Sequence, residues 1–216
     1  LPLVCLVDEA DGTRDASGLI ANAGSSRGTA DMWKVENVEV KSGEAADGDA
    51  SNKYFDFWKN AAYSSSVTQS LGVVPEGEYT LSALVRATAG VVVSLQATVT
   101  GADGTADHTV TLAGVGNTSP DGSQYKNGWM RLATEPFQLK RGDQLEIKAF
   151  VNPSETAWWS VDDFALTYKR ESVPTGVDAI GTGKTVKTAN GKYVEGRKVV
   201  VVKNGVKTGV SGLSVR

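Results

Sequence analysis

Tyr79, Leu81, Ala83 and Val85 fall at every second position, and Val93, Leu95, Ala97 and Val99 do the same. A period of two gathers side chains on one face of an extended strand, whereas a helix would need spacings of three and four. Both segments are therefore expected to be half-buried strands. Leu145, Ile147, Ala149 and Val151 repeat the pattern after Arg141-Gly142-Asp143, with Phe137 and Leu139 ahead of that turn, which predicts a β-hairpin. Helical periodicity is scarce. Glycine-rich or polar stretches at 75–77, 101–104, 114–128 and 152–156 space the strands as an antiparallel sandwich requires. The expected fold is all-β, an antiparallel β-sandwich or jelly roll.

Composition narrows what such a chain does. With 216 residues, 40% hydrophobic and 22% charged, it resembles an ordinary globular protein with one main core. A net charge of −3 supplies no basic field for phosphates, so nucleic acid is not an expected partner. The single cysteine, Cys5, rules out an intramolecular disulfide or a cysteine-rich metal site. It lies in LPLVCLV, far shorter than the roughly 20 apolar residues needed to span a bilayer, so no membrane insertion is expected. Val4 precedes Cys5 where a lipid anchor would want a small residue, and a buried strand cysteine is the expectation. The missing initiator Met and charged leader fit a mature form or a fragment.

Organisation changes near 172–176, where SVPTG gives way to Lys, Val, Gly and Thr. We divide the chain into an N-terminal extension (1–17), the sandwich (18–171) and a small C-terminal β module (172–216). In the last, 192–194, 197–203 and 206–210 read as three short strands, and Asn204-Gly205 suits a type I′ turn. About forty residues bury little surface, so this meander is expected to dock on the sandwich or on a protein partner.

Three stretches carry a family likeness: KYFDFW (53–58), GVVPEGEYTLSALVRA (72–87) and WWSVDDFALTY (158–168). Residues 18–170 resemble the galactose-binding-like jelly-roll modules attached to extracellular glycoside hydrolases and surface proteins of Bacteroidetes. LIANAG at 19–24 looks like the start of such a module, although Ser25-Ser26 stand where the pattern has Phe-Glu. The tail GKYVEGRKVVVVKNGVKTGVSG is similar to C-terminal segments of secreted Bacteroidetes proteins. The resemblance implies a secreted or cell-surface location and a glycan ligand.

Catalytic residue types are sparse. His108 is the only histidine; it lies in ADHTVTL without a nucleophile-elbow pattern, and a two-His metal site cannot be assembled. Asp162 and Asp163 are expected on opposite strand faces, as are Glu36 and Glu39, which removes the facing carboxylate pair of a glycosidase. No enzyme activity is expected. No cofactor is required either, a structural calcium held by Asp162 or Asp163 with Asp47 and Asp49 being the one group left open.

Sugars stack on aromatic rings while polar groups fix their hydroxyls. Of five tryptophans, Trp33 and Trp129 are expected in the core. Trp158 and Trp159 must diverge to opposite faces, which makes Trp158 the preferred platform. Tyr54, Trp58 and Tyr125 follow as candidates, with Asp56 and Arg131 as polar partners. The expected function is a non-catalytic extracellular carbohydrate-binding module, ancillary to a glycoside hydrolase or a surface glycan-utilisation complex. The alternative is a structural or protein-interaction domain that serves as an adhesion unit or spacer.

Overall fold

The structure, a computed structural model, describes residues 7–8, 13–25, 27–115, 125–152, 157–169, 191–195, 198–203 and 206–210. Cys5, residues 153–156 and the turn expected at Asn204-Gly205 lie outside them. Two compact units emerge, Leu1–Glu171 and Ser172–Arg216. In the first, the chain runs through β1 (Val7–Asp8), β2 (Arg14–Asp15), a 3-10 turn at Ser17–Leu19, β3 (Lys34–Glu36), β4 (Glu39–Ser42) and β5 (Lys53–Lys59). It continues through β6 (Ser65–Val73), β7 (Gly77–Ala87), β8 (Val92–Thr100) and β9 (Ala106–Val115). β10 (Met130–Ala133), β11 (Phe137–Leu139), β12 (Gln144–Val151) and β13 (Ala157–Lys169) complete it.

These strands form two antiparallel sheets. In the first, β13 is central: β7 pairs along one edge, while β5 and β2 share the other. β4 extends β5, β1 extends β2, and β10 and β11 extend β7. The second sheet has the order β3-β6-β12-β8-β9. The fold is an all-β jelly-roll sandwich.

Alternation explains the core directly. Tyr79, Leu81, Ala83 and Val85 on β7, Val93, Leu95, Ala97 and Val99 on β8, and Leu145, Ile147, Ala149 and Val151 on β12 are all at most 1% exposed. Trp159, Val161, Phe164, Leu166 and Tyr168 of β13 join the same cluster. Fully burying each large apolar side chain is worth about 1.5–3 kcal/mol. Trp33 packs edge-on to Phe55 and against Phe164, and its indole N–H donates to the Asn22 carbonyl at 3.1 Å. Trp159 donates to Ser65 Oγ at 2.9 Å. Both indoles are thus buried without an unsatisfied donor.

Two local expectations change. Phe137 and Leu139 do not form a hairpin with β12: β11 pairs with β7 in the first sheet, and β12 with β6 and β8 in the second. The intervening turn is a corner between sheets, closed by the Asp143 carboxylate accepting from Lys140 N–H at 2.7 Å. A hairpin and a corner show the same alternation, because both arms of the corner point their apolar faces into one core. Glu36 and Glu39 likewise belong to β3 and β4, which lie in different sheets.

The second unit is a three-stranded antiparallel meander of β14 (Gly191–Glu195), β15 (Lys198–Lys203) and β16 (Val206–Val210).

Gly77 opens β7 with φ 149°, and a Cβ there would fall on the Tyr168 ring and 3.0 Å from the Lys169 carbonyl oxygen. Backbone strain and overpacking each cost on the order of 1–3 kcal/mol. Urea denaturation of Gly77→Ala is expected to show a stability loss of about 2 kcal/mol or more.

Candidate functional site

The face of the first sheet that points away from the core carries the sequence candidates. Register places them in rows. Trp58 on β5 lies opposite Trp158 on β13, and Asp56 lies opposite Ser160, which in turn faces Arg86 on β7. Trp58 is 55% exposed and Trp158 is half-buried. Backbone contacts fix Trp158: Thr88 N–H donates to its carbonyl at 3.0 Å, and its own N–H donates to Thr88 Oγ1 at 3.0 Å. The two indoles therefore form an aromatic ledge held on strands rather than loops.

Below the ledge the face is covered, a feature the sequence did not signal. Arg86 is 5% exposed, and its guanidinium lies 5.0 Å from the Tyr54 and Trp129 ring centroids and 5.3 Å from that of Trp158. It donates to Ser160 Oγ at 3.2 Å, Glu44 Oε2 at 2.9 Å, the Asn127 carbonyl at 3.3 Å and the Tyr54 hydroxyl at 3.1 Å. Ser160 in turn donates to Asp56 Oδ1 at 2.6 Å, and Lys41 pairs with Asp56 Oδ2 at 2.7 Å. That hydrogen bond to Asp56 is the main reason the Lys41 ammonium is held above its ordinary range.

Loop segments lie over this network. Trp129 donates its indole N–H to the Glu44 carbonyl at 2.7 Å, and Lys126 N–H bonds the Ala46 carbonyl at 2.8 Å. Ala45, Ala46, Tyr54, Leu84 and Trp129 form a second small core, with Tyr125 packed against it. Tyr54 and Asp56 are thereby buried, and burial raises the Tyr54 phenol above its usual range. At the far side of the cover, exposed Arg131 bonds the Tyr125 hydroxyl at 3.1 Å and Ser82 Oγ at 3.1 Å. The six candidates thus share one face but divide into an open ledge (Trp58, Trp158), a buried pair (Tyr54, Asp56) and a separate rim (Tyr125, Arg131).

The aspartates are not arranged as alternation implies. A β-bulge shifts the register between Asp162 and Ala165, and Asp163 takes the left-handed φ of 44°. The extra residue turns both carboxylates towards one point. A Cβ built on Gly24 would lie 2.9 Å from Asp163 Oδ1 and 3.7 Å from Asp162 Oδ1. Asp162 is 1% exposed, so it cannot flank a glycosidic bond. Its carboxyl is pushed up to about 8, first by burial and then by the charges of Asp163 and Asp47, against a hydrogen bond from Asp163 N–H. Asp162 Oδ1 and Ser25 Oγ are buried without a partner among the described residues. Asp47 and Asp49 spend their oxygens within their own loop: Asp47 accepts from Asp49 N–H and Asn52 Nδ2, and Asp49 from Ser51. The Ser51 bonds hold the Asp49 carboxyl below its usual range.

No protein-family model matches the sequence, and no curated protein matches it. Solved structures do match. A family 61 carbohydrate-binding module in complex with β-1,4-galactotriose superposes with a TM-score of 0.55 at 19% identity, over 70% of this chain and 98% of that one. This chain and that module share the jelly-roll fold. A family 16 module (TM-score 0.50, 18% identity) covers 68% of this chain and 98% of its own. The enzymatically active domain of a bacteriophage CBA120 tailspike also aligns (TM-score 0.51, 13% identity), but only 21% of that chain is covered. The jelly-roll likeness read from residues 18–170 therefore stands at the level of fold. The opposite outer face, on the second sheet, is lined by Ser66, Thr68, Ser94, Gln96 and Thr98, with one ring, Phe150, carrying Lys148 Nζ 4.9 Å from its centroid. His108 sits in β9, its side chain outside the described residues. Among those residues, no helix is long and apolar enough to cross a membrane.

Asp162 gives a pH signature with a definite sign. Its folded value of about 8 stands above the ordinary 3.8, so the folded state holds the extra proton between these limits. Stability is then highest at the acid end of that window and falls as pH rises towards 8. With chelator present, urea unfolding is expected to show this decline from pH 5 to 8, and Asp162→Asn to flatten it.

Proposed function

We propose that the first unit is a non-catalytic carbohydrate-binding module that takes a glycan on the Trp58–Trp158 ledge. The observation that carries this reading is the cross-strand tryptophan pair on β5 and β13, Trp58 exposed and Trp158 half-buried. Apolar C–H faces of sugars stack on such rings, and Lys41, 44% exposed beside Asp56, offers a polar group nearby. Similarity to a module solved with β-1,4-galactotriose supports a carbohydrate ligand. Export to the cell surface in the manner of Bacteroidetes proteins rests on the tail resemblance, and the C-terminal meander serves as the protein-docking element. The scarcity of histidine and the burial of Asp162 support binding without catalysis.

A structural calcium belongs to the same proposal. Calcium takes six to eight oxygen ligands, carboxylates above all. Asp162, Asp163 and the Ser25 hydroxyl are oxygen donors around Gly24, and two of their atoms lack partners. Among the described residues no three His, Cys, Asp or Glu side chains are grouped so as to hold a metal ion, so backbone carbonyls and water would complete the shell. Bound there, calcium would ionise Asp162 and knit the 21–25 loop to β13.

Two outcomes check these readings. Affinity electrophoresis with soluble β-1,4-galactan and xylan is expected to show retention that weakens at least about tenfold in Trp58→Ala and less in Trp158→Ala. Silence across a broad polysaccharide panel would favour the structural or protein-interaction role. Calorimetric calcium titration at pH 6.5 is expected to release a proton, detected as a dependence on buffer ionisation enthalpy and absent in Asp162→Asn.

A further inference from the structure

We infer that Arg86 is the positioning residue of the ledge, fixing the orientation of the Trp158 ring and coupling it to the loops around Glu44 and Asn127. The inference rests on the glycan reading for its consequence, but the geometry stands by itself. The Arg86 guanidinium lies over the Trp158 ring, 5.3 Å from its centroid. That guanidinium is held in plane by four acceptors from four different segments: Ser160, Glu44, Asn127 and Tyr54. Tyr54 and Trp129 fix it from the sides. A planar cation pinned this way offers Trp158 a single stacking geometry, which a flexible ammonium would not.

The asymmetry has a chemical consequence. One face of Trp158 is committed to Arg86, so the ring presents its other face to a ligand, whereas Trp58 is the more exposed of the two. Trp58 is then the main stacking surface, and Trp158 is a fixed wall beside it. Binding needs that wall ordered beforehand, because immobilising a loose side chain on association costs affinity. Glu44, whose side chain is 67% exposed, becomes a remote handle on the ledge through Arg86.

The test uses the full chain labelled with 5-fluorotryptophan, whose five tryptophan resonances are assigned with single Trp→Phe variants. In Arg86→Lys and in Glu44→Ala, the Trp158 resonance is expected to move while those of Trp33 and Trp159, buried between the sheets, stay. Glu44 is exposed, so its variant folds even where Arg86→Lys does not. Retention on β-1,4-galactan or xylan, whichever the wild type binds, should fall a few-fold in Arg86→Lys and in Glu44→Ala, by no more than in Trp158→Ala. A Trp158 resonance unmoved in either folded variant overturns the inference, and so does a shift shared equally by Trp33 and Trp159. Wild-type protein that binds neither polysaccharide would count against the glycan reading alone, since the spectroscopic comparison is made without ligand.

Discussion

A guanidinium removed from water on the outer face of a sheet has to be compensated, and the arrangement of that face follows from how Arg86 meets the requirement. An isolated buried cation costs several kcal/mol even after the surroundings relax. Here the carboxylate comes from Glu44, the neutral acceptors from Ser160, Asn127 and Tyr54, and the lateral packing from three aromatic rings. Two of the four acceptors lie on strands and two on loops. Satisfying one charge therefore also closes the loops over the sheet around Tyr54 and Leu84 and leaves the Trp58–Trp158 ledge open.

Asp162 shows the opposite solution a few residues away. It is as deeply buried as Arg86, yet its neighbours are other carboxylates, and it holds its proton into the neutral range. The bulge at Asp163 creates this difference: an additional residue in β13 turns a second acidic group towards Gly24 instead of across the sheet. A cation at that point would do for Asp162 what Glu44 does for Arg86.

The sandwich was legible because burial imposes a period of two, and the inward positions of β7, β8 and β12 keep it. The corner at 140–143 was not, since nothing in Phe137, Leu139 or Leu145 tells whether two inward-facing strands pair with each other or face each other across a core. Within the site, the divergence of Trp158 and Trp159 followed from alternation alone. The burial of Tyr54 and Asp56 could not, because the loop covering them is polar in sequence and docks through backbone carbonyls of Glu44, Ala45 and Ala46. In sequence Arg86 is one polar position in an alternating strand, and its flanking Val85 and Ala87, both buried, give no sign that its own face is covered as well. The bulge left only a weak trace, two acidic residues in succession on a buried strand.

The placement of β13 also governs when the first sheet is able to exist. This strand supplies the hydrogen-bonding edges for β2, β5 and β7, yet it is the last strand of the unit, and its partners on β2 lie about 150 positions earlier in the chain. During synthesis or threading, a chain that has not yet delivered residues 157–169 carries β5 and β7 with open edges and an uncovered apolar face, the conditions under which strands pair with the wrong neighbour. Closure across so long a loop makes assembly slow by topology rather than by any single contact. The unit is therefore complete only when its final strand is in hand, and the tail that follows in sequence emerges after the sheet has received its keystone.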